Sequence, residues 1–382
     1  MIKNKKSALL FLVLFVFSNF SFAAKEEDQL LSRLKKFQWS NVLEEVSPCP
    51  SLECHLIWAA PAMGLGDAGV YAHRVKENGM QEYANKNGVS QNFDAVKNLE
   101  SLKPTNPWHF NKKYQIQIKN KSSRTKNEPK DMAVESRVFI GILVNDAPVD
   151  VIFDTGATLS LPAGSVAADT LDVLDIPANS PSALGKNDVV AFSTAKEVSI
   201  GDIKINNLMA KKKEGLPKLD INAVGLFGYD FLLRFDTVNV DLHSGVIKFN
   251  SLNYKKDNCS PMEMALDKNR IPAGLVVDIM IDNEWFKARI DTGANVDVLL
   301  HGKDIMPWKN GKMLNILGID TAGNTTPLEE FEDNISLSKV TSPHTIVRTP
   351  FSNDTFKVTL GIKFFAGHNF TFDFKNSQFC LN

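Results

Sequence analysis

The sequence predicts an all-β body made of two tandem copies of one small domain, preceded by a mainly helical N-terminal region. Three observations predict it. From Ser136 onward, short apolar runs alternate with Gly, Asn, Asp and Pro, the texture of many short strands. Placing Asp154 on Asp291, an offset of 137, aligns two stretches of this β region without a gap. Before residue 110 the apolar residues instead follow helical spacing, as at Leu30, Leu31, Leu34 and Phe37.

Residues 1–23 read as an export signal. Lys3, Lys5 and Lys6 precede the apolar run Ala8 to Phe17, and Ser21 and Ala23 supply small residues at a cleavage site. The run is too short for a stable membrane span. No later segment is long and apolar enough either, so a soluble protein, periplasmic or secreted, is expected. Residues 24–110 form the helical region, as accessory region or prosegment. Residues 111–135, with the Lys-rich stretch Lys119 to Lys130, read as a linker. The two β units are assigned to 136–250 and 251–382. Strands are expected at Val138–Val144, Val149–Phe153, Val238–Leu242 and Val246–Phe249. The four cysteines are even in number, as disulfides in an exported chain require. Three pairings are possible, and Cys49–Cys54 with Cys259–Cys380 is preferred.

The repeat carries the chemistry. Ile142-Leu143-Val144-Asn145-Asp146 falls on Ile279-Met280-Ile281-Asp282-Asn283, in each case an apolar strand entering a polar turn, which reads as a hairpin. The return strand runs into Phe153-Asp154-Thr155-Gly156-Ala157 in one copy and Ile290-Asp291-Thr292-Gly293-Ala294 in the other. Downstream, Leu226-Phe227-Gly228 and Thr359-Leu360-Gly361 recur at matching positions, each followed by a last strand. A single Asp-Thr-Gly would arise by chance about 0.1 times in a chain of this length. Two in matching flanks call for more than a turn-capping role, which would not require the same downstream element twice.

Paired carboxylates have a definite use. At about 3 Å they cannot both ionise and so share one proton, an effect best known from aspartic proteases themselves. The ionised member can draw a proton from water while the protonated member donates to a carbonyl oxygen. Asp154 and Asp291 are therefore the candidate catalytic pair. Thr155, Gly156, Thr292 and Gly293 support the loops: glycine admits backbone amides to the carboxylate, and the threonine hydroxyls can lock the loops together.

Phe153-Asp154-Thr155-Gly156-Ala157-Thr158-Leu159-Ser160 resembles the active-site motif of retropepsin-like aspartic proteases, and Leu226-Phe227-Gly228-Tyr229-Asp230-Phe231-Leu232 resembles their second element, which packs behind the catalytic loop. The continuation into Asp-Phe-Leu is similar to exported bacterial members. The resemblance implies two tandem retropepsin-like β-barrel units forming a pseudo-twofold aspartic endopeptidase, monomeric, acting on peptide or protein substrates at acidic to mildly acidic pH. It also implies a flap over the cleft, for which Ala183–Val190 and Thr321–Pro327 are candidates, and it makes the Lys119–Lys130 stretch either a solvated loop or a propeptide cleavage point. The second unit departs from the pattern in three places: Asp297 stands where Ser160 does, Thr359 where Leu226 does, and Lys363 where Asp230 does. These departures keep two alternatives open, a homodimeric protease using Asp154 alone and a non-catalytic peptide-binding protein.

Other function classes lack support. The formal net charge of −1 gives no basic face for nucleic acid. Gly64-Leu65-Gly66-Asp67-Ala68-Gly69 matches a dinucleotide fingerprint in letters only, without strand-turn-helix context, and reads as a turn before a helix starting near Val70. The histidines show no ligand spacing, and no matching pair follows Cys49-x4-Cys54, so neither metal nor organic cofactor is expected.

Overall fold

The computed structural model describes residues 26–45, 52–76, 101–119, 137–181, 187–213, 225–251, 256–267, 270–307, 309, 311–319, 325–353 and 355–381. Among the described residues the region ahead of the strands holds four helices: α1 (26–35), α2 (Trp39–Glu44), α3 (Leu52–Gly64) and α4 (Ala68–Lys76). The glycine-rich segment is the turn between α3 and α4. Gly66 takes φ +68°, and Asp67 caps α4 by accepting from the Val70 amide at 3.0 Å.

The remainder is mostly β. Strand β1 (Tyr114–Gln117) precedes β2 (Phe139–Val144), β3 (Ala147–Asp154), β4 (Ser160–Pro162), the short helix α5 (Val166–Asp169), β5 (Asp172–Pro181), β6 (Asn187–Ile200), β7 (Ile203–Lys213) and β8 (Gly225–Gly228). Helix α6 (Tyr229–Leu232), β9 (Thr237–Asp241) and β10 (Val246–Phe249) follow. Then come β11 (Cys259–Leu266), β12 (Pro272–Ile281), β13 (Glu284–Asp291), β14 (Val298–His301), β15 (Lys312–Ile319), β16 (Thr325–Leu337), β17 (Val340–Thr349), β18 (Val358–Gly361), β19 (Phe370–Asp373) and β20 (Gln378–Leu381).

Strands β2 to β8 pair in the order β2-β3-β8-β4-β7-β6-β5, and β12 to β18 pair in the order β12-β13-β18-β14-β17-β16-β15. In each set an extra pairing, β2 with β6 and β12 with β16, closes the sheet on itself, so that most strands have no open edge. The hairpins β2–β3 and β12–β13 turn on Asn145-Asp146 and Asp282-Asn283, all four at positive φ. Two successive positive-φ residues give a turn whose twist matches that of the strands, and Asn and Asp tolerate this conformation best. The expected strands fall on β2, β3, β9 and β10, within one or two residues at each end.

A third layer joins the halves. Strands β10 and β9 continue into β19 and β20 through the antiparallel β9–β19 register Val240 to Phe370 and Val238 to Phe372. Cys259 and Cys380 lie opposite each other on β11 and β20 and form a disulfide. Cys49 lies outside the described residues, and so does the expected Cys49–Cys54 bridge. One contiguous core runs from Leu30 and Trp39 in the helices, through Phe153, Phe227 and Phe235, to Phe370 and Phe379. The flap candidates fall on the β5–β6 and β15–β16 hairpins, with 183–186 and 321–324 outside the described residues. Residues 1–25 lie outside them too, as does most of the Lys119–Lys130 stretch. Among the described residues no helix is long and apolar enough to cross a membrane.

Candidate active site

Asp154 is the last residue of β3 and Asp291 the last of β13. Each of these strands runs parallel to a short partner ending in glycine, so that Asp154 stands beside Gly228 and Asp291 beside Gly361. These glycines are required by close approach. A Cβ at Gly228 would overlap the carbonyl oxygens of Ala157 and Asp154, and one at Gly361 would overlap those of Val296 and Ala294. The second elements of the repeat thus press directly against the two Asp-Thr-Gly loops.

The loops face each other across a reciprocal lock. The Thr155 hydroxyl donates to the Ile290 carbonyl at 2.9 Å and accepts from the Thr292 amide at 3.1 Å. The Thr292 hydroxyl donates to the Phe153 carbonyl at 2.6 Å and accepts from the Thr155 amide at 3.0 Å. Both threonines are fully buried, so each hydroxyl satisfies two groups with no access to water. Thr155→Val or Thr292→Val is expected to cost about 2–4 kcal/mol in urea unfolding, because it leaves a buried amide and a buried carbonyl unpaired. Thr→Ser, which keeps the hydroxyl, should cost under about 1 kcal/mol. A Val variant as stable as the Ser variant would show that the lock contributes nothing.

The lock brings the carboxyl groups together. Asp154 and Asp291 are buried and hydrogen-bond to each other through their side chains. The Gly156 amide donates to Asp154 Oδ1 at 2.8 Å, and the Gly293 amide to Asp291 Oδ1 at 3.2 Å. Each glycine also sits against the opposite carboxyl group. A Cβ at Gly156 would strike Asp291, and one at Gly293 would strike Asp154. Burial, and then the Asp291 charge, raise the Asp154 carboxyl well above the usual carboxylate range; the Arg289 guanidinium and the Gly156 amide only partly offset this. Asp154 therefore holds a proton where an exposed aspartate would have lost it.

All six residues expected at the site come together here. Several others were missed. Arg289 stands two residues before Asp291; its Nη2 lies 3.4 Å from Asp291 Oδ2 and donates to the Gly156 carbonyl. A signal was present, since an arginine here takes the place of Ile152 in the first copy. His301, the last residue of β14, bonds Thr359 Oγ1 at 2.9 Å through Nε2. Its ring is pushed down to about 4, by burial and then by Arg289, with Asp291 opposing. Tyr229 of α6 donates to the Pro272 carbonyl at 3.0 Å, tying the first half to β12.

The departures in the second half are accounted for locally. Asp297 Oδ2 accepts from the Thr345 amide at 3.1 Å, and Oδ1 lies 3.9 Å from His344 Nδ1. Burial works to raise this carboxyl, but the neighbouring His344 ring and the Thr345 amide hydrogen bond, with the Lys363 charge, outweigh it and hold it low. Its counterpart arrangement in the first half is reversed: Asp230 accepts from the Leu159 amide at 2.9 Å, and burial pushes it up to about 6. Each half thus has one carboxylate at the start of the strand that follows the loop, Asp230 buried and bonded to the Leu159 amide, Asp297 half-buried and bonded to the Thr345 amide. Among the described residues no cluster of His, Cys, Asp and Glu could hold a metal ion.

No protein-family model and no curated protein sequence matches this chain. Among solved structures, an aspartic proteinase from Irpex lacteus is similar at 10% sequence identity and a TM-score of 0.46, with 71% of this chain and 97% of that chain covered.

Proposed function

We propose that this chain is an aspartic endopeptidase that hydrolyses peptide bonds through a water activated by Asp154 and Asp291. The observation that carries this reading is the pair itself: two buried carboxyl groups in hydrogen-bonding contact, each anchored by the glycine amide two residues on, and held by the threonine lock. The pair shares one proton. Its ionised member takes a proton from water as the water oxygen bonds the scissile carbonyl carbon, and its protonated member gives its proton to the carbonyl oxygen. In the resulting diol the roles reverse. One hydroxyl returns a proton to the ionised carboxylate, the amide nitrogen receives one from the other, and the C–N bond breaks. The pair is left with one proton and no covalent intermediate.

In this reading residues 136–250 and 251–382 are two retropepsin-like units related by duplication, and the active molecule is a monomer. Residues 24–110 are a retained part of the body, and the substrate is a peptide or unfolded protein met outside the cytoplasm, consistent with the Cys259–Cys380 disulfide. The pairing of the two carboxyl groups within one chain favours this over a homodimer built on Asp154 alone.

Cleavage of a denatured protein substrate across pH 3 to 7 tests it, with wild type, Asp154→Asn and Asp291→Asn compared. Activity peaking in the acidic range and lost in both variants is expected. Activity surviving in Asp291→Asn would move the site to a homodimer, and no cleavage by wild type would leave a peptide-binding protein.

A further inference from the structure

The two carboxyl groups are near-equivalent in backbone and lock, yet the Arg289 guanidinium is within ion-pair distance of Asp291, while it lowers Asp154 through its charge alone. Arg289 lies on β13, on the Asp291 side, with its guanidinium 3.4 Å from Asp291 Oδ2. Its counterpart in the first copy, Ile152, is buried with Phe139 and Leu226 and supplies no charge to Asp154. The arginine is held in place rather than free to swing. Nη2 donates across to the Gly156 carbonyl, the guanidinium packs over the Phe356 ring at 5.2 Å, and Gly274 faces its stem, where a Cβ would come within 3.1 Å of Nε.

We propose that Arg289 is a positioning residue that breaks the symmetry of the pair, keeping the negative charge on Asp291 and the shared proton on Asp154. A cation in contact with one of two coupled carboxylates favours ionisation of that one, and low exposure keeps the attraction from being screened. The other groups facing the site do not reverse this. His301, from β14, is pushed down to about 4 and is neutral at mildly acidic pH. Tyr229, from α6, is pushed up by burial and by Asp230, against Arg289, and stays protonated. Asp230, behind it, faces Arg234 and Lys211. The Asp154 carboxyl is raised by burial and by Asp291, as expected of the member that keeps the proton. Asp291 would then be the base that activates water and Asp154 the acid that protonates the carbonyl oxygen, an assignment that rests on the peptidase reading.

Carbon-13 NMR of the full-length protein with carboxyl-labelled aspartate tests the assignment without substrate. On raising the pH, the Asp291 carboxyl is expected to reach its ionised shift at least one pH unit before Asp154. Simultaneous titration, or Asp154 ionising first, would overturn the proposal. Arg289→Gln should move both limbs of the pH–activity profile upward by about one to three pH units, since a lost cation makes every ionised form of the pair less favourable. Arg289→Lys, which keeps a cation, should restore about half of that displacement or more. A Gln profile that coincides with wild type would also refute the role. If the titration order holds but wild type cleaves nothing, the peptidase reading fails and the charge assignment stands; cleavage with the titration order reversed does the opposite.

Discussion

Deleting residues 24–110 is expected to leave no soluble, folded protein. The reason lies in Arg234, which follows α6 and is fully buried. Its Nε donates to the Asp230 carbonyl at 3.1 Å, Nη1 to the Pro107 carbonyl and Nη2 to the Leu65 carbonyl. Two of the three acceptors belong to the deleted segment, and so does Asp67, whose charge favours the guanidinium from nearby. Stranding a buried cation costs about 3–5 kcal/mol. The deletion also removes the Gly66 carbonyl from the Met209 amide (2.9 Å) and the paired bridge between Asn106 and Asn206. It uncovers Phe235, which stacks on Phe110 at 5.1 Å, and Phe374, which meets the edge of Phe37 at 5.2 Å. Each large apolar side chain returned to water costs about 1.5–3 kcal/mol. Together these losses rival the ~5–15 kcal/mol that holds a typical domain folded.

A proteolytic nick inside 120–136 should behave differently. The helical segment then remains seated, because β1, on its side of the cut, pairs with β10 along Tyr114 to Phe249 and Gln117 to Val246. Gel filtration of nicked protein should show both fragments eluting together, still folded by circular dichroism. If a chain starting near residue 111 folds and cleaves substrate, the segment is a removable prosegment and this account of Arg234 is wrong.

How much of this could be read from the sequence depends on the range of the interaction. The Asn145-Asp146 and Asp282-Asn283 turns, the strands around them and the two Asp-Thr-Gly loops are local patterns, so spacing alone located them. Duplication gave them weight, because a turn has no reason to bring Gly228 and Gly361 along. The residues that tune the site act across long separations and leave no local pattern. Arg289 reaches the Gly156 carbonyl 133 residues away, and Arg234 reaches the Leu65 carbonyl 169 residues away. Backbone carbonyls are invisible in a sequence, since every residue has one. Hence the helical region could be read as accessory region or as prosegment. Asp297 was legible as an oddity but not as harmless, because its partners His344 and Thr345 come from β17. Arg289 was within reach: the 137-residue offset sets it on Ile152, and a cation replacing a buried apolar residue two positions from a candidate catalytic aspartate is a signal in its own right.

Asp154→Asn should abolish hydrolysis while leaving the fold intact, and at neutral pH it should make the protein more stable than wild type. The loss of activity follows from chemistry. An amide can neither take the proton from water nor deliver one to the carbonyl oxygen, and losing a general acid–base partner of this kind costs about 10³-fold or more. The stability effect follows from the sign of the shift. Burial and the Asp291 charge raise the Asp154 carboxyl in the folded state, so its contribution to stability is fully present below its unfolded value near 3.8 and is lost as the pH rises through the higher folded value. Wild type therefore folds against a growing penalty between acidic and neutral pH. Asparagine escapes it: Oδ1 can still accept from the Gly156 amide, and the Nδ2 hydrogens can donate to Asp291 in place of the shared proton. Urea unfolding at pH 4.5 and pH 7.5 should show the variant gaining on wild type as the pH rises. A variant that loses activity and stability together at both pH values would mean that Asp154 holds the loop rather than carrying the reaction.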